Sequence, residues 1–384
     1  MIRTGRANGT GPMVAAALLF LLAACSSPDA APTQRPGATV PSASGTSPVA
    51  AAGSSPAASS NASRSGGAVR VAGRLDLRLD IPWSGVFLPD GTAVVSERGT
   101  AALKAVRGAD ATLIGTVPGV APAGEGGLLG LALSPGFATD RLLYAYLTSD
   151  ADNRVVRLRL ADSGNGALSL GAPEVVFAGI PKAATHNGGR IRFGPDGYLY
   201  VGTGDSQRRD QPQDPAALGG KILRLTPDGG PAPGNPFGNA VYSLGHRNVQ
   251  GLAWDTDGRL WATEFGPDVD DELNLILPGA NYGWPEVTGA PGRPEFQDAK
   301  VVWPTSDASP SGLEIAGSTA YVGALRGQRL WTIPLSGTEA GKPVAHFTGM
   351  YGRIRDVVRT PEGGFWLLTN NQNPDFAVVL GPAG

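Results

Sequence analysis

Cysteine is nearly absent from this 384-residue chain. Cys25 stands alone, so no intramolecular disulfide can form and no Cys/His cluster of the kind that holds zinc or iron is available. Histidine is almost as scarce, at three residues. No phosphate-binding loop or dinucleotide fingerprint occurs. The net charge of −2 becomes −4 once a leader carrying Arg3 and Arg6 but no acid is removed, and neither value fits a nucleic-acid binder. Helical periodicity is missing too: Gly and Pro, 56 and 33 residues, recur throughout, which predicts mostly strands. What the chain does have is 41% apolar residues, enough for a substantial core.

Arg3 and Arg6 precede an apolar run, Met13 to Ala24, that ends in small residues directly before Cys25. The run falls short of the roughly 20 residues of a membrane span and reads as an export signal. LLAAC, Leu21 to Cys25, resembles the bacterial lipoprotein cleavage box. Residues 1–24 are therefore expected to be a lipoprotein signal peptide, and Cys25 the lipid-bearing first residue of the mature protein. Residues 25–67 are mostly Ala, Ser, Pro, Gly and Thr and cannot bury enough apolar surface to offset the entropy of ordering. They read as a flexible tether, with the folded domain spanning 68–384. The expected location is the extracytoplasmic side of a bacterial membrane, held only through that anchor.

Beyond the tether one pattern repeats. A short apolar run, a turn and a second apolar or aromatic run occur as GVFLPDGTAVVSE from Gly85, LLGLALSPGFATDRLLYAYL from Leu128, RIRFGPDGYLYVGTGD from Arg190, GLAWDTDGRLWATEFG from Gly251, GLEIAGSTAYVGALRG from Gly312 and DVVRTPEGGFWLLTNN from Asp356. The turns fall near Pro89, Pro135, Pro195, Thr256, Ala316 and Pro361, and spacings of this order suit one four-stranded blade each. The expectation is an all-β, six-bladed β-propeller with four-stranded antiparallel blades. A pair of β-sandwich domains would leave the sixfold recurrence unexplained.

A turn centred on Pro195 and Asp196 pairs Ile191 with Tyr200 and His186 with Asp205, across a hairpin whose facing Cβ atoms are roughly 5 Å apart. In the fourth hairpin the same counting sets Arg247 opposite Gly266 and His246 opposite Pro267. Glu125, Arg326, Arg353 and Arg355 occupy corresponding ends of their own units, and in a propeller these ends share one face. A histidine held by a carboxylate keeps one ring nitrogen free as a general base, though such a pair also occurs purely as structure. Four guanidinium groups around a hollow call for an anion with several carboxylates or phosphates. EFGPDVDDELNLILPGANYGWP, Glu264 to Pro285, reads either as a solvated acidic loop or as a source of oxygen ligands for a hard cation such as calcium. His346 sits far from any strand end and reads as structural.

GEGGLLGLALSPGF (from Gly124), HNGGRIRFGPDGYLYVGTGD (from His186), LGHRNVQGL (from Leu244), the EFGP to NYGWP segment and YGRIRDV (from Tyr351) together resemble the soluble quinoprotein glucose dehydrogenase family, most closely its aldose sugar dehydrogenase branch. The resemblance implies a propeller that binds pyrroloquinoline quinone (PQQ) and calcium and oxidises aldose sugars at C1 to the lactone, passing electrons to an acceptor it does not specify. It makes His186 the base that takes the sugar hydroxyl proton while hydride passes to the quinone C5, Asp205 its orienting partner, and Arg247 an aid at the quinone carbonyl. Asn248, Arg353 and Arg355 would contact the cofactor, as would Glu125 and Arg326 where the family usually carries glutamine and lysine. The carbonyls of Gly266 and Pro267 would hold the calcium at the cofactor, and Glu272 with Tyr282 a second, structural calcium. A propeller that only binds a sugar or a protein partner at the cell surface is the alternative. A metal-dependent lactonase would need carboxylates converging on one ion, whereas arginines outnumber acids at this rim.

Overall fold

The computed structural model describes residues 69–164, 166–371 and 374–382. The expected signal peptide, Cys25 and the tether lie outside these residues. Six antiparallel sheets of four principal strands make up the described chain. Their first strands are Pro82–Phe87, Leu128–Leu133, Ile191–Phe193, Val249–Trp254, Pro310–Ala316 and Ile354–Arg359. Each of these touches the next, and the sixth returns to the first. The expected six-bladed propeller is thus a closed ring, and its six leading hairpins are the six repeats read from the sequence. Two short extra strands, Leu168–Leu170 and Glu339–Ala340, extend the second and fifth blades.

The ring closes with a strand the repeat pattern did not single out. Val71–Leu79 pairs antiparallel with Asp375–Leu380 and forms the outer edge of the sixth blade. The first folded segment and the last therefore share one sheet.

Blades pack face to face through apolar residues that alternate along the strands. Trp83, Tyr146, Ile191, Val201 and Leu223 belong to one such cluster, and Leu273, Val322, Trp331 and Ile333 to another. Each fully buried side chain of this size stabilises the fold by about 1.5–3 kcal/mol. Among the described residues no helix is long and apolar enough to cross a membrane.

The third hairpin departs from its expected register by one residue. Ile191 pairs with Val201, and Arg192 with Tyr200, so the expected pairing of Ile191 with Tyr200 is corrected. The loop closes by Gly194 N–H donating to the Tyr198 carbonyl, with Gly197 at a φ of 77°. This adds a residue beyond the Pro195–Asp196 centre, a conformation glycine adopts at little cost.

Candidate functional site

The new register sets the backbone of Ser206, not Asp205, opposite His186: the Ser206 N–H donates to the His186 carbonyl at 3.1 Å. The two side chains nevertheless meet, with His186 Nδ1 2.8 Å from Asp205 Oδ1. The chain makes this possible by leaving extended geometry at His186, where φ is 59°, and at Gly188, where it is 63°. Close approach also requires glycine at position 204, because a Cβ there would run into the His186 carbonyl.

Every oxygen of Asp205 is engaged. Oδ1 accepts from His186 and from the Gln207 N–H at 2.8 Å, and Oδ2 accepts from the Trp284 indole at 2.8 Å. Burial pushes this carboxyl's pKa up, but the bonds from His186, Gln207 and Trp284 outweigh it and hold it below the ordinary value. An ionised Asp205 accepts a hydrogen bond from the Nδ1–H of His186, which fixes the tautomer that leaves Nε2 as the acceptor. Among the described residues Nε2 has no hydrogen-bond partner, and the side chain is 18% exposed.

Beside the dyad, at the open ends of the hairpins, lies a cavity of about 230 Å³ lined by Trp83, Arg98, Glu125, Gln250, Arg353, Arg355 and Asn370 among others. Arg355 is 5% exposed. Its Nη1 donates to Gln250 Oε1 at 2.6 Å and to Ser311 Oγ at 3.3 Å, its Nη2 reaches Asn370 Oδ1 at 3.4 Å, and its Nε has no partner. Among the described residues no carboxylate forms an ion pair with it. Burial, with Arg98 and Arg353 close by, pushes its pKa down to about 9, so it remains a cation at neutral pH. Arg98 and Arg353 are likewise lowered by burial.

Glu125 joins this cavity to the dyad, since its Oε2 accepts from the His186 N–H at 2.7 Å. It interacts electrostatically with Arg98, Arg247, Arg353 and Arg355. The Arg247–Asn248 segment forms a second link. The Arg247 carbonyl accepts from the Asp205 N–H at 2.8 Å, and Asn248 Oδ1 from the Gly188 N–H at 2.9 Å. Both side chains keep a buried donor without a partner, Arg247 Nε and Asn248 Nδ2. Arg355 Nε is a third unpaired buried donor; of the three residues only Arg355 lines the larger cavity, and such groups are costly unless a ligand accepts from them.

Arg247 also borders a small cavity of about 10 Å³ lined by Glu264, Gly266, Pro267, Glu272 and Tyr282, room for about one water or ion. The two calcium sites implied by the resemblance thus fall on one compartment. Glu264 and Glu272 are paired in register on neighbouring strands. Glu272 accepts from the Gly289 N–H and Asn274 Nδ2, and burial together with the Glu264 charge pushes its pKa up to about 8. Two buried carboxylates beside backbone carbonyls form an oxygen-only donor set. Glu264 also accepts from the Arg247 N–H and from His246 Nδ1. His246 is fully buried on Ser243 and stacked on Tyr282, so its side chain turns inward from the position opposite Pro267 that strand counting gave it.

Arg326 is not brought onto the cavity wall. It is exposed, although its charge is felt at Asp271, whose carboxyl is raised by burial and partly offset by Arg247 and Arg326. His346 is the last residue of the outer strand Val344–His346, so its expected place far from any strand end is corrected; its ring bonds Thr332 on the neighbouring strand. Trp83, Arg98, Gln250, Glu264, Asn370 and Trp284 were missed from the sequence. Arg98 stands at the open end of the first hairpin, so the strand-end rule applied to that unit would have found it. At the opposite ends of the inner strands another cavity, of about 300 Å³, is lined by Arg190, Arg192, Glu314, Asp356 and Arg359. There Arg190 pairs with Asp356 and Arg192 with Glu314, which leaves far less uncompensated charge.

The chain matches the Glucose / Sorbosone dehydrogenase family over residues 79–378. It belongs to that family. It is 31% identical to the aldose sugar dehydrogenase of Escherichia coli K12 over 340 residues, covering 79% of this chain and 90% of that protein. It also superimposes on the PQQ-bound form of aldose sugar dehydrogenase from Streptomyces coelicolor with a TM-score of 0.80 and 50% identity, covering 82% of this chain and 98% of the other. The apo form of the soluble Escherichia coli enzyme matches at a TM-score of 0.73 and 29% identity, covering 82% and 99% of the two chains.

Proposed function

We propose that this protein oxidises aldose sugars at C1 to the lactone, using PQQ as cofactor and calcium as a bound ion. The observation that carries the reading is the His186–Asp205 dyad beside a cavity whose buried Arg355 lacks an anionic partner. That cavity suits PQQ, a polycarboxylate. Arg355, Arg353 and Arg98 would receive its carboxylates, while Asn248 Nδ2 and Arg247 Nε would donate to its polar edge. When bound, PQQ supplies the acceptor for the hydride that leaves the sugar, at its C5, and calcium polarises its carbonyl.

The chain's own work is proton handling and orientation. His186 Nε2 accepts the proton of the C1 hydroxyl, and Asp205 keeps Nδ1 protonated and stabilises the imidazolium that forms. Arg247, anchored by Glu264 and by the Phe265 carbonyl at 3.1 Å, offers a positive charge beside the dyad. Glu272, Tyr282 and the carbonyls of Gly266 and Pro267 would hold calcium, with Glu264 as a further oxygen donor. Arg326, exposed at the rim, would meet the cofactor or sugar only from outside. Residues 1–24 and Cys25 support export and lipid anchoring outside the cytoplasmic membrane.

Protein stripped of cofactor, then given PQQ and calcium, is expected to reduce an artificial dye with aldoses as donors. Saturable PQQ binding without dye reduction across an aldose panel would overturn the catalytic reading in favour of a binding module.

A further inference from the structure

We infer that Trp284 is a positioning residue of the proton-abstracting dyad, acting through the hydrogen bond its indole N–H gives Asp205. Trp284 is 6% exposed, and its location is over-determined. Its backbone N–H donates to the Gly245 carbonyl at 2.9 Å, its carbonyl accepts from Gln213 Nε2 at 2.7 Å, and the guanidinium carbons of Arg209 and Arg247 lie 4.5 and 5.5 Å from its ring centroid. From there Nε1 reaches Asp205 Oδ2 at 2.8 Å, while His186 and the Gln207 N–H hold Oδ1.

A carboxylate fixed at one oxygen can still turn about its last bond. A donor on the other oxygen removes that freedom, so the plane of the carboxylate, and with it the direction of His186 Nε2, is set by a residue 79 positions away in sequence. The bond also draws charge from the carboxylate and lowers its proton affinity. The imidazolium form of His186 is consequently less favoured than it would be beside an Asp205 bonded on one side only. Trp284 thus keeps the base free down to a lower pH. The other charged groups near the pair are Glu125, whose carboxylate accepts from the His186 N–H, Arg247, which interacts electrostatically with Asp205, and Arg209, which lies over the Trp284 ring.

Trp284→Phe keeps a ring between the two guanidinium groups and removes only the N–H. The chain's three histidines make imidazole nitrogen NMR of the cofactor-free protein tractable. The titration midpoint of His186 is expected to rise by about half a pH unit, since only part of the charge-assisted bond to Asp205 is passed on to the imidazolium. In the PQQ-loaded protein the acid limb of the kcat profile should move up by the same amount and kcat fall about tenfold, with PQQ affinity unchanged. A variant whose His186 titrates as in the parent overturns the inference even if its activity drops. If the variant does not fold, the parent decides: the Trp284 indole N–H signal must move as His186 titrates, and an unresponsive signal overturns the inference equally. The kinetic arm rests on the sugar-oxidation reading, but the titration does not, so failure of one is distinguishable from failure of the other.

Discussion

The carboxylate of Glu125 accepts a hydrogen bond from the backbone N–H of His186 at 2.7 Å, while four arginines act on it electrostatically. One acidic side chain therefore shapes the loop carrying His186, the proposed general base, and dilutes the positive charge of the cavity proposed for PQQ.

Glu125→Gln separates these two effects. The amide oxygen can still accept from His186, but the negative charge is gone, so PQQ affinity is expected to rise about tenfold, roughly the worth of removing one partly screened like charge. Absorbance titration of cofactor-free protein measures it. Weaker binding would mean that the carboxylate is needed to order the arginines.

His186→Ala should lower kcat by about 10²–10⁴-fold, the range for losing a positioned general base. PQQ affinity should hardly change, because the arginines and Asn248 remain. Steady-state kinetics set beside the same absorbance titration provide the comparison. Retained turnover would assign the base elsewhere.

Arg355→Met is expected to act in opposite directions on stability and on binding. Replacing a buried cation that lacks a carboxylate partner by an apolar chain of similar length removes a desolvation penalty, so the cofactor-free protein should melt a few degrees higher. PQQ affinity should fall by at least about tenfold as a charge-assisted contact is lost. Thermal melts with and without PQQ should therefore cross between parent and variant.

Glu272 makes the metal-free protein lose stability as pH rises from the ordinary carboxyl range to about 8. Its folded-state pKa, about 8, lies above the ordinary carboxyl value. The folded state thus holds a proton that the unfolded chain releases, and stability present below the unfolded pKa is lost as pH rises toward 8. Calcium should restore the melting temperature at pH 8. Glu272→Gln should flatten the pH dependence and abolish the calcium effect, and a calcium response that survives the substitution would move the ion to another site.

The propeller was legible because each blade repeats the same turn chemistry and alternation, which are local properties. His186 and Asp205 were legible for the same reason, lying at the mouth of one hairpin. The register error at Ile191 came from Gly197, whose positive φ lengthens the loop by a residue without altering the apolar pattern. Trp83, Gln250 and Asn370 were invisible because only the closed ring brings their blades together around Arg355. Trp284 was invisible for a related reason: its partner, Asp205, lies on another blade. The strand Val71–Leu79 carries no mark in its sequence that it completes a blade begun almost three hundred residues later.

That shared final blade has a consequence for how the molecule comes into being. During synthesis Val71–Leu79 emerges before the other described strands, yet it has nothing to zip onto until Asp375–Leu380 is made. Its edge stays open for nearly the entire period of translation, and sealing the circle is a long-range event that local hairpins cannot hasten. A nascent chain stalled before the last strand would be a string of formed blades with two sticky ends.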